Sequence, residues 1–234
     1  MSSTDVSVML VHGAWTDGSS WSKVIKPLAA DGLEVSAPPL PLTTFQDDVA
    51  ALDRALERAP GPVVLAAHAY AGAVVAATRS NKVKALVYVA ALAPDEGETV
   101  ANVFYRIKPH PQAPNLAPDN HGLIYLPREA FAAAFAQNAA AEELAVLAAV
   151  QRPIAPACIT VLVPKPLWKD RPAWFLVAEQ DRMIVRDNQC FMAERMRARV
   201  RSHAVDHAPI VTAPSVVLDV LREAITAVRA DNAT

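Results

Sequence analysis

Cysteine occurs only twice in this 234-residue chain, at Cys158 and Cys190. Two thiols make no disulfide framework, so both are read as free and the expected setting is a reducing cytoplasm. No apolar run approaches the roughly 20 residues that a helical membrane span requires. The polar start, Met1 to Asp5, leads directly into an apolar strand, so no signal peptide is expected. Lysine and arginine do not cluster, and the formal net charge is -2, so nothing attracts nucleic acid or an anionic membrane. Glycine is also scarce, with 7 residues, against 19 prolines that concentrate between Pro94 and Pro172. That middle stretch is therefore expected to be irregular and unlike its flanks. No internal repeat is present, and the alanine-rich run from Arg128 to Val150 keeps helical periodicity.

What is present suits one domain with a full core: 53% of residues are hydrophobic and 20% charged. Short apolar runs read as strands at Val6 to Val11, Val63 to Ala67 and Trp174 to Ala178, the first of them buried, and further strands are read at Leu33 to Ala37, Val83 to Leu92 and Val200 to Val205. Helical spacing appears at Ser20 to Ala30, at Phe45 to Ala59 with Thr44 as its N-cap, at Ala71 to Arg79, at Asn188 to Arg199 and at Ser215 to Ala230. Strands alternating with helices imply a six-stranded, mainly parallel sheet covered on both faces. The alternation breaks between Glu96 and Arg171, where two helices are expected near Glu129 to Gln137 and Ala141 to Val150. We therefore read residues 1–95 and 172–234 as the core, and 96–171 as a cap over the carboxyl ends of the strands, where such sheets bind ligands.

Three places after predicted strands carry chemistry. His12-Gly13-Ala14-Trp15 forms a turn able to aim a backbone N–H into a site. Ala67-His68-Ala69-Tyr70-Ala71-Gly72 occupies the strand-to-helix position of a nucleophile elbow, whose sharp turn needs small flanking residues. Asp181 and His207 follow two late strands, in the order nucleophile, acid, histidine. Asp206 competes for the acid role but is expected to point away from the imidazole. His12 and His68 are read as structural, His110 and His121 as ordinary loop residues, and His203 with His207 as no metal site.

With these motifs and with Val87-Tyr88-Val89-Ala90-Ala91, Asp181-Arg182-Met183-Ile184 and Asp206-His207-Ala208-Pro209, the chain resembles the α/β-hydrolase superfamily. It is most similar to small bacterial esterase-like members related to plant methylesterases and hydroxynitrile lyases. The resemblance implies an α/β-hydrolase fold with a helical cap, Asp181 and His207 as acid and base, and the N–H groups of Ala14 and Tyr70 as the oxyanion hole. It places Ala69 where the nucleophilic serine belongs, and a methyl group has no oxygen for a histidine to deprotonate. A natural alanine or a replaced serine both account for this; Ala67 and Ala71, where glycines are usual, favour the natural one. Trp15, Phe104, Tyr125 and Trp168 are the expected substrate-binding residues of a largely apolar pocket.

The resemblance implies an esterase-type action on a small apolar carbonyl compound, with no cofactor, no metal, and neither nucleic acid nor membrane as partner; a homodimer is compatible with it. Two alternatives stand beside it. One is a serine-independent lyase or cofactor-free oxygenase that begins with proton abstraction by His207. The other is a non-catalytic small-ligand-binding protein.

Overall fold

The computed structural model describes residues 6–231. Its strands are β1 (Ser7–Val11), β2 (Val35–Ser36), β3 (Val63–His68), β4 (Val83–Val89), β5 (Ala173–Ala178) and β6 (Arg199–His203). They form one sheet in the order β2-β1-β3-β4-β5-β6, and every pairing is parallel. β1, β3 and β5 are buried along their whole length, and β4 at every residue but Lys84. Continuous Val, Leu and Ala runs are what a strand covered on both faces requires.

The helices are α1 (Ser22–Ala30), α2 (Phe45–Arg58), α3 (Ala71–Ala77), α4 (Val100–Phe104), α5 (Arg128–Ala130), α6 (Ala141–Val150), α7 (Arg186–Arg195), α8 (Pro209–Thr212) and α9 (Pro214–Asp231). α9 packs on β3, β4 and β5 together with α1 and α8, whereas α2 packs on α3, which lies against β3. α2 starts where the sequence indicates: the Thr44 hydroxyl accepts the Asp47 N–H at 3.0 Å. Asp47 and Asp48 in its first turn complement the helix dipole. Among the described residues, no helix is long and apolar enough to cross a membrane.

Several expected boundaries shift for local reasons. The helix expected from Ser20 opens with a 3₁₀ turn, Gly18–Trp21, capped by Asp17, and becomes α-helical at Ser22. The strand expected to reach Leu92 stops at Val89, because Ala90 takes a left-handed φ of 45°. The helix expected near 129–137 divides into α5 and a π-helical turn, Phe131–Phe135, closed by the Ala136 N–H donating to Phe131 O at 2.8 Å. α6 forms over Ala141–Val150.

Gly72 shows how tightly α3 seats. A Cβ there would lie 2.3 Å from the Leu92 carbonyl oxygen and 3.1 Å from the Tyr88 ring. Only a residue without a Cβ lets this helix approach the end of β4 so closely.

Candidate active site

The site begins with backbone strain at the ends of two adjacent strands. After β3 the chain turns into α3 through Ala69, whose φ is 51°. This left-handed conformation costs an L-residue about 1–2 kcal/mol. Hydrogen bonds hold it: Ala69 N–H donates to Val89 O at 3.4 Å, and Ala69 O accepts from Leu92 N–H at 2.9 Å and Gly72 N–H at 3.2 Å. After β1, Trp15 takes a φ of 61°. Its N–H donates to Arg152 O at 3.0 Å and its indole N–H to Ile124 O at 2.9 Å. The two turns touch, since a Cβ added at Gly13 would meet the Ala69 Cβ at 2.9 Å and His68 O at 3.0 Å. Among the described residues, the N–H groups of Ala14 and Tyr70 meet no acceptor. They are free donors beside the elbow, Tyr70 at the N-terminus of α3 and Ala14 in the turn after β1.

The loops after β5 and β6 bring Asp181 and His207 together. His207 Nδ1 donates to Asp181 Oδ2 at 2.8 Å, and both side chains are fully buried or nearly so. Asp181 Oδ1 accepts the Met183 and Ile184 N–H groups at 2.7 and 2.8 Å. The imidazole packs against both His68 and Phe135, with ring centroids 4.8 and 5.0 Å away, and those two rings also touch each other at 6.0 Å. Asp206 serves elsewhere: its carboxylate accepts from Asn138 N–H, Ala208 N–H and the Thr212 hydroxyl.

The other histidines near the site are supports. Burial pushes His68 down to about 3, with the neighbouring His207 adding to the effect. The ring is therefore neutral, and its Nε2–H donates to the His207 carbonyl at 2.7 Å. His12 is likewise lowered by burial. Its Nε2 accepts the Leu40 N–H at 2.9 Å, which leaves Nδ1–H to donate to Gly13 O at 2.8 Å.

Above these residues lies a cavity of about 650 Å³, counting the space at its mouth. Ala14, Trp15, Ala69, Tyr70, Phe104 and His207 all line it. No serine, threonine, cysteine, lysine, arginine or carboxylate is among its lining residues. Tyr125 and Trp168, expected at this pocket, do not line it. Ile124 bridges Ile154 in an extended segment and faces the cavity, so the next side chain, Tyr125, turns outward and is 47% exposed. Trp168 sits in a buried 3₁₀ turn, Leu167–Lys169, that packs on α3. The basic residues nearby are occupied: Lys165 pairs with Asp170, Lys169 with Asp95, and Arg171 donates to Val83 O.

A model of the alpha/beta hydrolase family matches residues 8–220. The chain belongs to the alpha/beta hydrolase family. No curated protein matches its sequence. Among solved structures, this alpha/beta hydrolase is similar to a pyrethroid hydrolase from Sphingobium faniae, at 20% identity and a TM-score of 0.78, covering 95% of this chain and 98% of the other. It is similar to a methylesterase from Arabidopsis, at 17% identity and a TM-score of 0.77, covering 94% and 99%. It is also similar to a variant of tomato methylketone synthase I in complex with beta-ketoheptanoate, at 17% identity and a TM-score of 0.81, covering 96% and 99%. Identities this low speak to a shared fold.

Three residues of this alpha/beta hydrolase contact the site without a clear mark in the sequence. Phe135 reaches His207 from the π-helical turn, and helical periodicity alone did not place it there. Asp48 sits in a helix whose first turn reads as a solvated acidic cap, yet it is fully buried and accepts the Tyr70 hydroxyl at 2.7 Å. Gln189, also fully buried, donates to Asp181 Oδ2 at 2.9 Å from α7.

Proposed function

We propose that this protein acts on a small, uncharged, apolar carbonyl compound of the ester type, and does so without a covalent serine step. One observation carries the reading. The cavity is lined by His207, hydrogen-bonded to Asp181, and by Ala69, and it contains no side-chain oxygen or sulfur nucleophile of serine, threonine or cysteine. An acyl-enzyme requires such a nucleophile. Among the described residues, one ring nitrogen of His207, Nε2, has no partner. In this reading a water molecule gives its proton to Nε2 as its oxygen attacks the carbonyl carbon. Asp181 holds the Nδ1–H tautomer and stabilises the imidazolium. The Ala14 and Tyr70 N–H groups receive the developing oxyanion. Nε2–H then protonates the departing alkoxide. The stretch 96–171 acts as the cap, contributing Phe104, Leu116, Ile124 and Ile159 to the cavity wall. Burying a charge against such a wall is costly, which favours a neutral ligand. The likeness to a methylesterase and a pyrethroid hydrolase supports the ester class.

A second reading has its own support, in the methylketone synthase structure that holds beta-ketoheptanoate. In this reading the Asp181–His207 pair moves a proton at a carbon beside a carbonyl, which needs no nucleophile at position 69. Ala69→Ser separates the two. On the first reading the serine variant gains hydrolysis of activated esters, with an initial burst, and His207→Ala abolishes the gain. A serine variant that folds and stays inert across a broad ester panel overturns the ester reading. Solvent-proton exchange into ketones by the unaltered chain would then support the second.

A further inference from the structure

Asp181 Oδ2 serves two donors, and only one of them belongs to the dyad. His207 Nδ1 approaches at 2.8 Å and Gln189 Nε2 at 2.9 Å. Gln189 is fully buried, and its amide has one workable orientation. Its Oε1 accepts the Ala178 N–H at 3.0 Å at the end of β5, so the nitrogen must face the other way. That nitrogen divides its hydrogens between Asp181 Oδ2 and Ile184 O, the latter at 2.7 Å. One amide thus ties together the last residue of β5, the carboxylate after it and the carbonyl that closes the loop. With Met183 and Ile184 N–H on Oδ1, the carboxylate accepts four donors in a dry site.

We propose that Gln189 is a positioning residue for the Asp181–His207 pair, fixing the shared carboxylate oxygen so that the imidazole holds one orientation toward the cavity. The proposal rests on the reading that this pair is the working base. The Gln189 amide also does something that packing alone would not. A carboxylate that shares its charge with an extra N–H attracts an imidazolium less strongly. The other ionisable groups near the ring are His68, kept neutral by burial, Tyr70 across the cavity, and Asp206, whose oxygens are taken by Asn138, Ala208 and Thr212.

The test is a histidine-selective NMR titration of the full chain, with the His207 signal identified by its loss in His207→Asn. Gln189→Leu removes the donor while keeping the volume. The His207 signal is expected to move to higher pH than in the parent, because Asp181 then attracts the imidazolium more strongly. Gln189→Met likewise removes the donor, with a flexible side chain of similar length, and the same upward shift is expected. A Leu variant that folds, melts lower and leaves the His207 titration unmoved makes Gln189 a packing residue and overturns the proposal. If the Leu variant does not fold, the Met variant decides, and an unmoved titration there overturns it equally. Because the readout needs no turnover, a chain that hydrolyses nothing leaves this result standing, and a chain that hydrolyses esters does not rescue it.

Discussion

Tyr70 donates its hydroxyl hydrogen to Asp48 Oδ2 at 2.7 Å, joining the residue after the elbow to the first turn of α2. Asp48 is fully buried, and Leu42 N–H occupies its other oxygen at 2.7 Å. Burial raises the Asp48 carboxyl above the usual carboxylate range, and the hydrogen bonds from Tyr70 and Leu42 oppose this. Burial and the Asp48 charge hold the buried Cys158 thiol beside them at about 12, so it stays protonated. Tyr70→Phe is expected to cost about 1–3 kcal/mol, the usual penalty for leaving a buried polar group short of a partner. Chemical denaturation at neutral pH checks this. The pH dependence has a definite sign. The folded chain holds the Asp48 proton to higher pH than the unfolded chain does, so its contribution is full below the ordinary carboxylate value and falls as pH rises through the raised one. Asp48→Asn should therefore compare less favourably with the parent at pH 4 than at pH 7, and the reverse order would refute the assignment.

His68 sets the acid side of the stability profile. Its folded value, about 3, lies well below the ordinary 6.5. A depressed folded value means stability that is present above 6.5 and is lost as pH falls toward 3. With the ring fully buried, this loss amounts to several kcal/mol across that window. His68→Gln keeps an N–H in reach of the His207 carbonyl and has nothing to protonate. It should be less stable than the parent at pH 7 yet lose less between pH 6.5 and 4. Parallel acid-unfolding curves for the two proteins would remove His68 as the cause.

The strands were legible because their environment leaves a one-dimensional trace. A strand covered on both faces is apolar at nearly every position, and β1, β3 and β5 are apolar but for Ser7 and His68. The elbow at Ala69 was legible from its small neighbours, and Asp181 and His207 from their places after successive strands. Other features left no such trace. Ala90 turns left-handed without the glycine that usually announces it. Gln189 and Asp48 are polar residues on helices, and polarity on a helix ordinarily means a solvated face. Their burial depends on partners from β5, the Asp181 loop and the elbow, which only the tertiary fold brings near. Tyr125 was misplaced because an aromatic residue in a proline-rich stretch does not show which side of its segment faces in.

That difference gives a contrast in ligand binding. Phe104 and Trp15 line the cavity, whereas Tyr125 is half exposed outside it. A thermal-shift screen with neutral apolar esters and ketones should find binders. Phe104→Ala should weaken them about tenfold, the scale of one lost aromatic contact of about 1.4 kcal/mol. Tyr125→Ala should leave binding unchanged. Equal losses from both variants would mean that the ligand sits outside this cavity.

The strain at Ala69 makes its own prediction. An alanine at a φ of 51° is held there by hydrogen bonds to Val89, Leu92 and Gly72, against its own steric preference. Glycine occupies this region freely but also gains freedom in the unfolded chain, which costs roughly 0.5–1 kcal/mol. Relief of about 1–2 kcal/mol of left-handed strain outweighs that cost. Ala69→Gly is therefore expected to stabilise the fold by about 0.5–1 kcal/mol in equilibrium denaturation. Alanine to glycine is normally destabilising in ordered backbone, so the sign alone is diagnostic. Ala77→Gly, in the last turn of α3, is the natural control, since it carries the normal penalty with no strain to relieve. A destabilised Ala69→Gly, matching this control, would show that the elbow is not strained in solution. The left-handed turn would then not be the fixed platform on which the Ala69→Ser test depends.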